Sequence, residues 1–311
     1  AAGYAPLGLG TDTGGSVRAP ATANGIVGMR PSMGLLSRSG IIPLALIFDT
    51  GGPMTRNVAD IAAMLSVMVG VDSADEATKA SAGKFEKDYT KNLNAGALKG
   101  ARLGIVRDLM GRDPEVDWAI TSAMDQMTKA GATIVDVRYP QWLLQNSREY
   151  YNAVRWPEFP VQMKAYLATL GPKYPKSLDE MIERAEKFTT SRPDGARPNP
   201  VRWALFKQEN ASGTMQDYRY TSVKEHILPA VRQVVDGVFA ANKLDAIIPD
   251  LVVPAGFTGD NLPVGISFVG TAFTEGKILG LGYSFEQATH ARKRPIHTPA
   301  LPGAKIEVKG G

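Results

Sequence analysis

The sequence predicts an α/β layered domain that carries a largely helical segment, and three observations lead there. The first is a strand–helix–strand unit. Leu103, Ile105 and Val106 make a short strand. Asp113 then caps a helix with Pro114 at its first position, and Val116, Ile120, Ala123, Met127 and Ala130 form its apolar face. Gly131 stops that helix, and Thr133-Ile134-Val135-Asp136-Val137 is the second strand, so parallel pairing and a right-handed crossover are expected. The second observation is a strand-rich frame at both ends of the chain, and the third is an aromatic-rich helical stretch over 141–242.

The other elements follow in order. Residues 1–53 are rich in Gly and Pro and read as tight turns and short strands, such as Gly25-Ile26-Val27-Gly28-Met29. Over 54–70 the spacing turns helical, with Met54, Val58, Ile61, Leu65 and Met68 on one stripe and Gly70 as its end. Residues 73–100 are polar and Lys-rich, a helix-poor surface connection. Residues 141–213 are helical in tendency and hold Trp142, Tyr150, Tyr151, Trp156, Phe159, Tyr166, Trp203 and Phe206, with a break at 192–200. A long helix is expected over about 214–242, bent near Pro229. Ala246-Ile247-Ile248-Pro249 and 264–269 read as strands, and 275–289 as a last helix.

Composition removes several kinds of chemistry. With 311 residues, 44% hydrophobic and 21% charged, the chain can bury a sizeable core and is not of a disordered type. Its net charge of +4 is dispersed, and no basic run suggests nucleic acid or a membrane surface. There is no cysteine, so disulfides and thiol nucleophiles are excluded. No His-x-x-x-His pair or dense carboxylate cluster suggests a metal; Asp236, Asp245 and Asp250 are scattered. No apolar run reaches the roughly 18–20 residues of a membrane span. Ala1-Ala2-Gly3-Tyr4 lacks the marks of a signal peptide, and the compartment, cytoplasmic or periplasmic, is left open.

Residues 8–18 carry the chemistry. Small polar residues and glycines crowd around Ser16 in Gly10-Thr11-Asp12-Thr13-Gly14-Gly15-Ser16-Val17-Arg18. Glycines allow positive φ and close backbone approach, so successive N–H groups can converge on one point. An oxyanion hole needs such donors, about 2.7–3.1 Å from the developing charge. Asp12 and Arg18 are spaced to pair across the loop. A plain turn is the bland alternative for Gly-Gly-Ser alone, and no phosphate-binding glycine pattern is present. A Ser–His–Asp triad would have to draw on His226, His290 or His297, all distant, and no Gly-x-Ser-x-Gly elbow accompanies them.

The length of the pattern decides between these readings. The run from Gly8 to Ala21 closely resembles the nucleophile segment of the amidase signature family. Asn24 to Ser32, Gly34 to Gly40, and Asp49-Thr50-Gly51-Gly52-Pro53-Met54-Thr55-Arg56-Asn57-Val58-Ala59-Asp60 extend the likeness. Pro254-Ala255-Gly256 and Leu262 to Gly270 resemble the closing strand of the same fold, while about 140–240 matches weakly. The resemblance implies one domain over 1–311: a mixed central sheet covered by helices on both faces, lacking its N-terminal part, with a helical insertion over 141–242. It also implies amide hydrolysis through an acyl-enzyme, with no cofactor and no metal.

By resemblance Ser16 is the nucleophile, the backbone N–H groups of Thr13, Gly14, Gly15 and Ser16 form the oxyanion hole, and Asp12 and Arg18 support the loop. Ile47 and Phe48 are expected to touch substrate, with core packing as the equal alternative. The family's lysine base and its second, proton-relaying serine precede the nucleophile. Here fifteen residues precede Ser16, none of them lysine, and Lys79 is the first. The sequence therefore reads as the C-terminal part of a longer or nicked enzyme; a short homologue without the triad is the third explanation. Expected partners are a small-molecule amide, an N-terminal segment of the same enzyme, and at most a second copy in a homodimer, with neither nucleic acid nor membrane. The closest likeness is to bacterial peptide amidases and aryl or alkyl amidases. Within the family the alternative is a glutamine-hydrolysing component of an amidotransferase.

Overall fold

The computed structural model describes residues 5–190 and 200–294. The chain opens with β1 (Leu7–Asp12), α1 (Arg18–Ala23), β2 (Val27–Met29), β3 (Thr50–Thr55) and α2 (Val58–Met68). Two 3-10 turns, Glu76–Ser81 and Tyr89–Asn92, lead to β4 (Arg102–Val106), α3 (Pro114–Lys129) and β5 (Thr133–Val137). The helical stretch comprises α4 (Gln141–Ala168), α5 (Leu178–Thr190), α6 (Pro200–Asn210), α7 (Tyr218–Ser222), a π turn over Val223–Ile227, and α8 (Leu228–Asn242). β6 (Ala246–Phe257), β7 (Pro263–Val269) and α9 (Glu275–Thr289) close the chain.

Among the described residues seven strands form one mixed sheet in the order β1-β3-β2-β6-β4-β5, with β7 paired to β6. β4 runs parallel to β5 and β6, as the crossover through α3 demands. β1, β2 and β3 are antiparallel, and β2 joins β6 antiparallel through Gly28 and Val252. β6 is thus the seam between a parallel and an antiparallel half.

Alternation along the strands sends side chains to two layers. Val27, Met29, Leu103, Ile105, Ala246 and Ile248 meet α2, α3 and α9 in the main core, where Ile61, Leu65, Met127, Leu279 and Phe285 are fully buried. The intervening Val106, Val137 and Ile247 meet Phe239 of α8 on the opposite face. Gly28 lies against Ala21 of α1 on that face as well. Helices therefore cover both faces of the sheet.

Several elements differ from the sequence reading, each for a local reason. Met54 belongs to β3, because α2 starts only after Asn57, whose side chain accepts the Asp60 N–H. The 73–100 connection is helix-poor, yet Tyr89 and Leu98 are fully buried against the core. Val116 is 36% exposed and stands off the buried face of α3. The helix expected from 214 begins at Tyr218, and a π turn accommodates the approach to Pro229, whose missing N–H falls at the start of α8. β6 is a twelve-residue strand rather than the four expected, because it finds successive partners in β4 and β2. α4 also runs through Pro157 and Pro160, residues that break a helix unless packing around them compensates. Most of the 192–200 break lies outside the described residues, as does His297.

Candidate active site

Ser16 stands exposed on the turn between β1 and α1. Its hydroxyl has no hydrogen-bond partner among the described residues. The turn is built around Asp12, the last residue of β1, which is completely buried. Asp12 Oδ1 accepts the Gly15 N–H at 2.6 Å, and Oδ2 accepts the Val17 N–H at 3.1 Å. Arg18 donates Nε to Oδ2 at 3.1 Å and Nη2 to Oδ1 at 3.3 Å. Arg30 Nε lies 3.4 Å from Oδ1 on the other side. Burial pushes the Asp12 carboxyl up, but the Arg18 hydrogen bonds and charge and the two backbone N–H groups outweigh it, so the group is held below the usual carboxylate range.

Gly15 has φ 129°, a conformation that side chains rarely adopt, and this lets its N–H turn back onto Asp12. That N–H is therefore engaged and differs from the expectation that all four loop donors face one point. The N–H groups of Thr13, Gly14 and Ser16 have no acceptor among the described residues.

A second loop lies against the first. Thr13 Oγ1 donates to Asp49 Oδ1 at 2.5 Å, and Asp49 Oδ2 accepts the Leu44 and Ala45 N–H groups at 2.8 and 2.9 Å. Arg30 Nη2 donates to the Phe48 carbonyl at 2.6 Å, so one guanidinium ties both loops to β2. Ile47 and Phe48 are half-buried and pack with Tyr150, Ala153, Tyr220 and Val223 of the helical segment. Core packing thus accounts for part of each side chain.

Two contributors were not singled out from sequence. Tyr151 of α4 brings its hydroxyl to Gly14, where a Cβ would lie only 3.1 Å from the phenol oxygen. Its ring meets Phe48 at 5.3 Å, and Arg155 lies over it at 5.5 Å, held by a buried ion pair with Glu209. Burial raises the Tyr151 pKa, so its hydroxyl stays protonated at neutral pH. Arg30 is the other; its basic position before proline was visible, but its span from Asp12 to Phe48 was not. His226 and His290 are exposed and far from the loop in the chain. Among the described residues no group of three His, Asp or Glu could hold a metal, and no helix is long and apolar enough to cross a membrane.

The fold and this loop define an α/β protein whose exposed serine sits on a strand-to-helix turn fixed by a buried carboxylate. The Amidase family model matches residues 1–249, and the chain belongs to that family, the amidase signature family. A probable amidase of Arabidopsis thaliana is 32% identical over 92% of this chain and 57% of its own length. A glutamyl-tRNA(Gln) amidotransferase subunit of Lactiplantibacillus plantarum is 32% identical over 98% of this chain and 67% of its own. The native peptide amidase of Stenotrophomonas maltophilia superposes with a TM-score of 0.80 at 31% identity, covering 94% of this chain and 64% of that one. The chain thus spans about 57 to 67% of the length of these relatives.

Proposed function

We propose that this chain carries the nucleophilic half of an amidase site, with Ser16 as the attacking residue. The observation that carries the reading is the turn itself: an exposed serine hydroxyl beside three N–H donors that have no acceptor among the described residues, on a loop immobilised by Asp12. Ser16 Oγ adds to the amide carbonyl carbon, and charge develops on the carbonyl oxygen. The N–H groups of Thr13, Gly14 and Ser16 serve that charge, and their orientation is set before substrate arrives. Collapse releases ammonia or an amine and leaves an acyl-serine, which water hydrolyses to the carboxylate. Asp12 and Arg18 hold the loop, and Phe48, Ile47 and Tyr151 wall the acyl side.

A serine hydroxyl needs a base, and among the described residues no lysine stands at the turn. The proposed source is a segment N-terminal to this chain that supplies the lysine and the relaying serine. β1 is the edge of the sheet, with Leu7 and Leu9 turned outward at 43% and 63% exposure, which is where such a segment would pack. The substrate class favoured is a peptide, aryl or alkyl amide, in keeping with the aromatic helical segment. The likeness to amidotransferase subunits supports a second reading, ammonia release from glutamine alongside partner proteins.

A fluorophosphonate probe on the active protein is expected to label Ser16, and Ser16→Ala to abolish both labelling and amide hydrolysis. Full activity with Ser16 unlabelled sinks the reading. Intact-mass measurement of the active sample tests the upstream segment; an active species of 33.3 kDa, the mass of this chain, contradicts it. Co-purification of obligate partners selects the second reading.

A further inference from the structure

Loop 44–49 is pinned from several sides. Asp49 accepts the Leu44 and Ala45 N–H groups, and Arg30 donates to the Phe48 carbonyl. Arg38, paired with the buried Asp75 at 2.5 Å, donates Nη1 to the Leu46 carbonyl. The remaining anchor comes from the helical segment. Gln162 of α4 accepts the Leu46 N–H on Oε1 at 2.8 Å.

That bond fixes the amide orientation, so Gln162 Nε2 must donate, and it does so to Glu158 Oε2 at 2.8 Å. Glu158 lies one turn earlier on α4 and is 2% exposed. Its Oε1 accepts the Tyr220 hydroxyl at 2.9 Å, and Lys224 Nζ donates to that hydroxyl at 2.7 Å while lying 3.7 Å from Glu158. Donation along the string converges from both ends on the Glu158 carboxylate: Lys224 to Tyr220 and Tyr220 to Glu158 on one side, Leu46 to Gln162 and Gln162 to Glu158 on the other. No member can be inverted alone without setting donor against donor or acceptor against acceptor.

We infer that Gln162 is a positioning residue for the amide site. Through it the helical segment sets where residues 46–48 stand above the nucleophile turn, and hence the wall that Ile47 and Phe48 present to the acyl group. The loop connects onward to the turn by Asp49 to Thr13 and by Arg30 to Asp12. Tyr151 on the same helix touches both Phe48 and Gly14, so α4 registers the two loops together. The inference rests on Ser16 being the nucleophile and adds to that reading the element that governs substrate fit.

Polarity supplies the test. Gln162→Glu sets two carboxylates face to face, and Glu158→Gln either turns its NH2 toward the NH2 of Gln162 or, flipped, leaves the Tyr220 hydroxyl proton without an acceptor. The double variant Gln162→Glu with Glu158→Gln restores the hydrogen bonds of the string, though it moves the negative charge off residue 158 beside Lys224: residue 158 donates to residue 162 and still accepts from Tyr220, and residue 162 still accepts from Leu46. In the active protein each single variant is expected to raise KM for a good amide substrate about tenfold, the loss of one strong buried hydrogen bond. The expected kcat per Ser16 labelled by fluorophosphonate stays within about twofold, because the Asp12 lock is untouched. The double variant is expected to recover the parent KM. A purely structural role gives a lower melting temperature and fewer labelled sites with KM unchanged, and that result overturns the inference. Single variants with parental KM, or a double variant as impaired as the singles, overturn it equally. A parent protein that hydrolyses amides with Ser16 unlabelled overturns the nucleophile reading instead, through a different measurement.

Discussion

Asp12 shows how one buried charge shapes a loop. Its two oxygens are filled by two N–H groups and a two-pronged guanidinium, so no lone pair faces the core alone. Asp12→Asn keeps the shape but replaces one acceptor by a donor and removes the carboxylate charge that faces Arg18 and Arg30. Breaking such a pair is expected to cost about 3 kcal/mol in urea unfolding and to lower amide turnover about a hundredfold by releasing the Gly15 turn. Glu286 gives a contrasting case. Burial is the main cause that lifts its carboxyl to about 7, with Asp60 adding to it, against the Val58 N–H and Arg292. Folding thus takes up a proton: the group favours the folded state fully below its unfolded value of 4.5, and that contribution is lost as pH rises through about 7. Glu286→Gln is expected to raise the melting temperature by several degrees at pH 8 and to leave it nearly unchanged at pH 4.5. At this scale the pairing of Arg18 with Asp12 was legible because both lie within one short glycine-marked run. Tyr151, Arg30 and Gln162 were not, since nothing in local spacing tells which distant turn a helix face will meet.

Secondary structure was legible wherever its cause is local. The α3 unit carries its own stop and start signals: Asp113 caps the Glu115 and Val116 N–H groups, and Gly131 adopts φ 96° at the end. Asp113→Ala is expected to cost about 1 kcal/mol in urea unfolding with amide turnover unchanged, since the cap lies on the solvent side, away from the turn. β5, β7 and α9 follow from alternation and helical spacing in the same way. β3 and the full length of β6 were hidden because their sequences, Thr-Gly-Gly-Pro-Met-Thr and a run broken by prolines, owe their strand form to neighbours. The helical segment offers the same lesson: α4 survives two internal prolines because Pro157, Phe159 and Met163 are buried against other elements.

The mixed sheet as a whole was expected from the family likeness, while spacing alone yielded only its parallel part. Its order explains why the Ser16 turn is well held although it projects from the edge strand β1. β3 separates β1 from β2, β2 leans on β6, and Val17 fills the space beside Gly10, Gly28 and Gly52 behind the turn. Every step of this support is antiparallel pairing or small-residue contact, so the frame is stiff where Ser16 leaves it. The helical segment approaches from the other side and touches the site through α4.

The seam strand has a consequence for synthesis. On the ribosome Gly28 emerges long before its β6 partner Val252 and must wait for it. Until then the β1-β3-β2 group presents an open backbone edge on β2, and chains that stop short of β6 carry Ser16 on an unsupported turn. Such truncated products are expected to be prey for proteases and chaperones, so the support of this turn is decided by a strand made long after it.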